Sequence, residues 1–187
     1  RGQGVSAAEV VAEAGRDELR RIFREYGEER YAGRIASEIV KVRTQRQLTT
    51  TTQLAELVSR VVPGGRDARR IHPATRVFQA LRIHVNRELE SLETALADGL
   101  ARLKEGGRMV VISFHSLEDR MVKRAFRDAA FGCTCPPRLA VCVCGRTPAV
   151  KILTRKGVKA QEAEIEHNPR SRSAVLRAVE KLAGEGE

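Results

Sequence analysis

The residues of this sequence best placed to do chemistry follow one another at Ser113-Phe114-His115-Ser116-Leu117-Glu118-Asp119, directly after the apolar run Met109-Val110-Val111-Ile112. Two hydroxyls, an imidazole and two carboxylates thus stand where a buried strand hands over to a helix. Polar groups at such a strand end give up hydration and need a partner or a ligand in exchange. In open α/β sheets ligands bind beyond the carboxyl ends of the strands, and the free N–H groups of a helix start favour anions there. Ser113 and His115 are therefore candidate site residues. The structural reading of the same residues is that Ser116 caps the helix, Asp119 completes the cap and complements the dipole, and His115 fills space.

Other segments offer binding rather than catalysis. In His72-Pro73-Ala74-Thr75-Arg76-Val77-Phe78-Gln79-Ala80-Leu81-Arg82 the residues Arg76, Gln79 and Arg82 recur every third position, so they share a helix face that could hold a phosphate backbone or simply be solvated. Tyr26 and Tyr31 flank a charged helix junction, where they could stack on an unpaired base or staple two helices together. Asn168-Pro169-Arg170-Ser171-Arg172-Ser173 is a turn whose arginines seek phosphate or line a polar loop. Cys133, Cys135, Cys142 and Cys144 form two Cys-x-Cys pairs. Four thiolates can close a tetrahedral zinc site, but one intervening residue is shorter than the usual two to four, and reduced structural cysteines are the competing reading. A Gly-rich loop after a strand, a P-loop, H-E-x-x-H and G-x-S-x-G are all missing from these residues.

The elements that must position these groups are readable from periodicity. Ser6 and Glu9 form a capping-box pattern, and apolar stripes at Leu19/Ile22/Phe23/Tyr26, Tyr31/Ile35/Ile39/Val42 and Leu54/Leu57/Val58/Val61 predict successive helices, the last capped from Thr49–Thr52. Pro63-Gly64-Gly65 breaks that series. From Pro73 an apolar stripe runs from Val77 to Leu103, as one long helix or two in tandem. After Gly106-Gly107, Met109–Phe114 reads as a strand buried on both faces of a parallel sheet, followed by a helix through Phe126. A Cys- and Pro-containing loop spans 132–148, and Val150–Thr154 and Ala174–Val179 are two further strand candidates, the second also compatible with a short helix. The alternation of helix, buried strand and helix predicts an α/β layered fold.

Composition sets the partners. Hydrophobic residues make up 42% of the 187 but aromatics only 4%, so the core must be aliphatic. Against 24 acidic residues stand 34 basic ones, a net charge of +10, which suits a polyanion. No apolar run approaches the length of a membrane span and no secretory signal opens the chain, so the cytoplasm is the expected compartment. Arg1 rather than Met begins it, as expected of a processed chain or a fragment.

Four segments together resemble the bacterial 16S ribosomal RNA (cytosine-N4)-methyltransferases: Tyr26–Ala32, His72–Glu90, Val111–Arg120 and Asn168–Ser173, in matching order and approximate spacing over essentially the whole chain. The Ser-Phe-His-Ser-Leu-Glu-Asp-Arg and His-Pro-Ala-Thr-Arg strings are the specific ones. The resemblance implies the closing half of a Rossmann-like, S-adenosylmethionine-dependent methyltransferase domain plus an all-helical inserted domain. It places residues 6–71 in that helical domain, a candidate for RNA recognition, and 72–187 in the catalytic domain. Arg108–Phe114 would be the fifth strand, and the last two strand candidates an antiparallel hairpin. Ser113, His115 and Glu118 then become catalytic pocket-edge residues, and Arg76, Arg82, Arg170 and Arg172 RNA contacts. The partner is 16S ribosomal RNA or the small subunit, with the oligomeric state open, a dimer included. The paired-Cys loop resembles a variable insertion, and the chemistry needs no metal. The family's cofactor loop, ribose-binding acid and acidic target-base motif all precede the first residue here, so no cofactor-binding residue is expected in this chain, which should be a fragment, poorly folded or inactive alone. Two other readings compete: a non-enzymatic basic RNA-binding helical module, and a zinc-stapled structural domain.

Overall fold

The computed structural model describes residues 4–63, 72–132, 135, 141 and 143–183. They form two compact units, residues 1–88 and 89–187, and the architecture is mixed, with many helices and one small antiparallel sheet.

The first unit is helical: α1 (Ala7–Glu13), α2 (Arg16–Glu25), α3 (Ala32–Arg43), α4 (Thr51–Val61) and α5 (Thr75–Asn86). Ser6 opens α1 with a complete capping box, its hydroxyl accepting the Glu9 N–H at 3.2 Å while Glu9 accepts the Ser6 N–H at 2.6 Å. Thr50 and Gln53 repeat the device at α4. Each such cap contributes about 1 kcal/mol. The apolar stripes converge on one core in which Leu19, Ile22, Phe23, Ile35, Ile39, Leu57 and Val58 are fully buried.

Helix α5 belongs to this core through Ala74, Val77, Ala80 and Leu81. The sequence division after residue 71 and the packing division after Glu88 therefore differ by one helix. Packing decides because the inward stripe of α5 has its partners on α1 and α2. Gly27 is the fulcrum: a Cβ there would lie 2.6 Å from the Arg76 carbonyl oxygen and 2.8 Å from that of Phe23. The long apolar stripe resolves into two helices, broken at Arg87, which takes a left-handed φ of 51°.

The second unit holds α6 (Glu88–Arg102), β1 (Arg108–Ser113), α7 (Ser116–Phe131), β2 (Val150–Ile152), β3 (Val158–Lys159), α8 (Glu162–His167), a 3-10 turn at Pro169–Ser173 and β4 (Val175–Lys181). β4 is central, antiparallel to β1 (Ser113 opposite Val175), to β2 (Val150 opposite Lys181) and to β3 (Val158 opposite Leu176). Val175–Lys181 is thus a strand, its pairing with β1 on one side and with β2 and β3 on the other outweighing the helix preference of its Ala, Leu and Arg. Leu96, Val122, Phe126, Val150 and Val179 form the core, with Met109 and Val111 packed against it.

The expectation of a strand buried on both faces in a parallel sheet is corrected here. Among the described residues β1 pairs on one side only, antiparallel, and its burial alternates. Met109 and Val111 face the core, whereas Val110 and Ile112 are 55% and 52% exposed, with Phe114 exposed beside them. A continuous apolar run describes a strand covered on both faces, and these residues cover only one.

Candidate functional site

β1 delivers Ser113 to its carboxyl end as the last residue of the strand, 2% exposed, with an Oγ that has no hydrogen-bond partner among the described residues. The chain then turns into α7 through Phe114 and His115. His115, not Ser116, is the N-cap: its Nδ1 accepts the Glu118 backbone N–H at 3.3 Å. Glu118, not Asp119, completes the box, its Oε2 accepting from the backbone N–H of Phe114 at 2.8 Å and of His115 at 3.3 Å. The cap sits one residue earlier than the Ser/Asp pattern suggests because imidazole nitrogen can do the work of a hydroxyl.

The cap assigns the tautomer of His115. A nitrogen that accepts carries no proton, so the neutral ring holds its hydrogen on Nε2. That Nε2 lies 3.3 Å from Glu118 Oε1, an ion pair only when the ring is protonated. The contact lacks hydrogen-bond geometry, and Nε2 is buried without a hydrogen-bond partner among the described residues. Two buried polar atoms, Ser113 Oγ and His115 Nε2, are therefore left unspent within one turn.

Asp119 serves elsewhere. Its carboxylate takes a bidentate pair of hydrogen bonds from Arg177 of β4, from Nε at 2.7 Å and from the terminal nitrogen at 3.0 Å, with side chains only 24% and 11% exposed. This fork fastens the start of α7 to the centre of the sheet. The pair joins positions 58 apart, and no local pattern in the sequence signals it. Glu118 holds the strand-to-helix turn and Asp119 holds the helix to the sheet.

The structure brings Ser113, His115 and Glu118 into one turn. Arg170 and Arg172 are exposed on the 3-10 turn that feeds β4, whose first residue, Val175, lies opposite Ser113. Arg76 and Arg82 lie in the first unit, both exposed. The shared outward face proposed for Arg76, Gln79 and Arg82 is divided: Gln79 donates its side-chain amide to the Tyr26 carbonyl at 3.3 Å, and Arg82 is forked onto Glu88 at 2.9 and 3.0 Å. The tyrosines also part company. Tyr26 stacks on His84, with ring centroids 6.0 Å apart, while Tyr31 lies under the Arg34 guanidinium at 5.8 Å.

Of the four cysteines, Cys133 and Cys142 lie outside the described residues. Cys135 and Cys144 are half-buried thiols, and Cys135 Sγ accepts from the Val143 N–H at 3.4 Å. Among the described residues no group of three or more His, Cys, Asp or Glu side chains could hold a metal, and no helix is long and apolar enough to cross a membrane.

One feature escaped the sequence reading. In the first unit an open concavity of about 800 Å³ is lined by Arg16, Arg20, Arg24, Arg30 and Arg34 around Tyr31. The signal was available: Arg16, Arg20 and Arg24 stand at i, i+4 and i+8 on one face of α2.

Comparison with known proteins adds the following. Residues 1–182 match the model of the MraW methylase family. The chain is 64% identical over 179 residues to a protein of Syntrophotalea carbinolica named ribosomal RNA small subunit methyltransferase H, covering 96% of this chain and 57% of that protein. Proteins of the same name from Citrifermentans bemidjiense and Geobacter sulfurreducens are 57% and 55% identical, over 97% and 95% of this chain and 58% and 57% of their own lengths. The chain thus spans a little under three-fifths of the length of the curated relatives it matches.

Proposed function

Because this chain belongs to the MraW methylase family, we propose that it acts as part of a cytoplasmic methyltransferase that transfers a methyl group from S-adenosylmethionine to the N4 amine of a cytidine in 16S ribosomal RNA near the decoding centre. The relatives that carry the small-subunit RNA methyltransferase name support the RNA and the reaction class. The observation that carries the reading in the geometry is the pair of buried, unspent polar atoms, Ser113 Oγ and His115 Nε2, at the carboxyl end of β1. One face of β1 left exposed at Val110, Ile112 and Phe114 supports the finer reading of the second unit as the closing half of a Rossmann-like domain. That face is apolar enough to expect a cover. Residues 6–71 of the helical first unit are then the inserted domain.

The cofactor's contribution is an electrophilic methyl group on a sulfonium. The described residues do not by themselves fit that cofactor, since they offer no Gly-rich strand-to-helix turn and Glu118 and Asp119 are already committed. What these residues do is position. A cytosine reaching the site must leave its stack, and its polar edge then meets Ser113 and His115. The Ser113 hydroxyl is an acceptor for an amine N–H, and the His115 Nε2–H is a donor. Glu118 keeps both in place by holding the turn. Fixing the amine in line and excluding water is where such a site gains rate. Arg170 and Arg172, at the same end of the sheet, and Arg76 and Arg82 hold the RNA strand in this reading.

The test joins the part of the Syntrophotalea carbinolica relative that this chain does not cover to this chain, and follows labelled methyl transfer into small-subunit RNA. Ser113→Ala should lower turnover at least tenfold while leaving folding stability within about 0.5 kcal/mol or raising it, since it removes a buried hydroxyl without a partner. His115→Asn, which keeps a good helix cap, should likewise lose turnover and keep stability. Full activity in both variants would sink the assignment of this turn to the site.

A further inference from the structure

In the proposed function Arg76 and Arg82 are RNA contacts of the first unit, and a further group of arginines lies on α2 and at the start of α3. Resting on that reading, we propose that the concave face of α2 and α3 binds the phosphate backbone of an unpaired RNA strand, with Tyr31 as a stacking platform. Arg16, Arg20 and Arg24 project from one face of α2 over about 12 Å of helix axis. Arg30 and Arg34 approach from the start of α3, so that five guanidinium groups line one open concavity. Arg20 lies across Gly33, where its Cδ sits 3.8 Å from the place of a Cβ.

Among the described residues Arg20, Arg24, Arg30 and Arg34 make no ion pair with a carboxylate. Arg16 is held by the Ser37 hydroxyl at 2.8 Å and has only a loose 3.5 Å contact with its neighbour Asp17. Glu25 is taken by Arg21, and Glu29, 3% exposed, turns inward to accept the Tyr31 N–H at 2.8 Å. Like charges four residues apart repel and cost helix stability, a cost that a bound anion relieves. Planar guanidinium forks suit phosphate. The Arg34 guanidinium over the Tyr31 ring provides a flat surface on which an unpaired base can lie, which a duplex would not present. The width and openness of the groove suit a flexible strand better than a single small anion.

The test measures binding of a labelled, unstructured oligoribonucleotide of about a dozen nucleotides to the full 187-residue chain across a range of salt concentrations. Each phosphate contact on a single strand contributes about 0.7 to the slope of log affinity against log salt. The triple variant Arg20→Gln, Arg24→Gln, Arg30→Gln should bind at least tenfold more weakly with a slope shallower by about 2. Tyr31→Ala should lose about tenfold with the slope unchanged, as expected for a lost stack. Replacing the same three arginines with lysine should preserve most of the slope, and circular dichroism separates a binding defect from misfolding. Unchanged affinity and slope in the folded triple variant overturn the proposal, and equal loss on a duplex of the same sequence overturns its unpaired-strand part. Methyl transfer by the joined protein is measured in parallel. Transfer with an inert groove overturns this proposal alone, whereas groove binding without transfer supports it and counts against the methyltransferase reading.

Discussion

At the residue scale the informative atoms are those whose bonding capacity is not used up. Ser113 and His115 stand out in the sequence as polar residues after an apolar run, whereas Glu118 enters as a candidate only through the family resemblance. Their division of labour was not legible. The sequence pattern makes Ser116 and Asp119 the cap, yet His115 and Glu118 fill that role, and only coordinates reveal which nitrogen of the imidazole remains. Asp119 illustrates the other limit, since its partner Arg177 is distant in sequence and reached only through the fold. Replacing Asp119 with Asn leaves a mostly buried guanidinium without its counter-charge. It should destabilise the second unit by about 2 kcal/mol, read as a lower urea midpoint at unchanged slope. No shift in that midpoint would show that the fork is incidental.

At the element scale the helices were the easiest part to read, because Leu19/Ile22/Phe23 and Leu54/Leu57/Val58 repeat at helical spacing and Ser6 and Thr50 announce the starts. The Glu9 carboxyl is held below its ordinary range by the backbone N–H and then the hydroxyl of Ser6. A carboxyl lowered in the fold adds stability that is present above its unfolded value and disappears as pH falls through the folded one. Helix content of α1 should accordingly fall on acidification, and Ser6→Ala should flatten only part of that dependence, because the larger cause, the backbone N–H, remains. The assignment of α5 was harder. Its stripe shows that it has an inward face, not which core receives it, and the answer lies in a backbone approach at Gly27 that periodicity does not encode. Gly27→Ala must push the Arg76 and Phe23 carbonyls apart and should cost about 2 kcal/mol or more. A thermal midpoint equal to that of the parent would contradict the close packing of α5 on the α2–α3 junction. The strand β1 misled in the opposite sense: Val110 and Ile112 advertise two covered faces, but whether a cover exists depends on what lies against the strand, which the strand's own residues do not say.

At the scale of the whole molecule, family membership, basic charge and the polar end of β1 support the proposed RNA methylation, while the chain covers only 57% of the length of a relative 64% identical to it. Cofactor chemistry therefore has to be tested on a protein that supplies the uncovered part. The most direct measurement is nucleoside mass spectrometry of 16S ribosomal RNA after incubation of free RNA and of small subunits with the joined protein and isotopically labelled S-adenosylmethionine. The account predicts label in N4-methylcytidine, absent when the 187-residue chain is used by itself. Label in any other nucleoside, or none at all from a folded joined protein on every substrate, would contradict it and favour a basic RNA-binding module without catalysis.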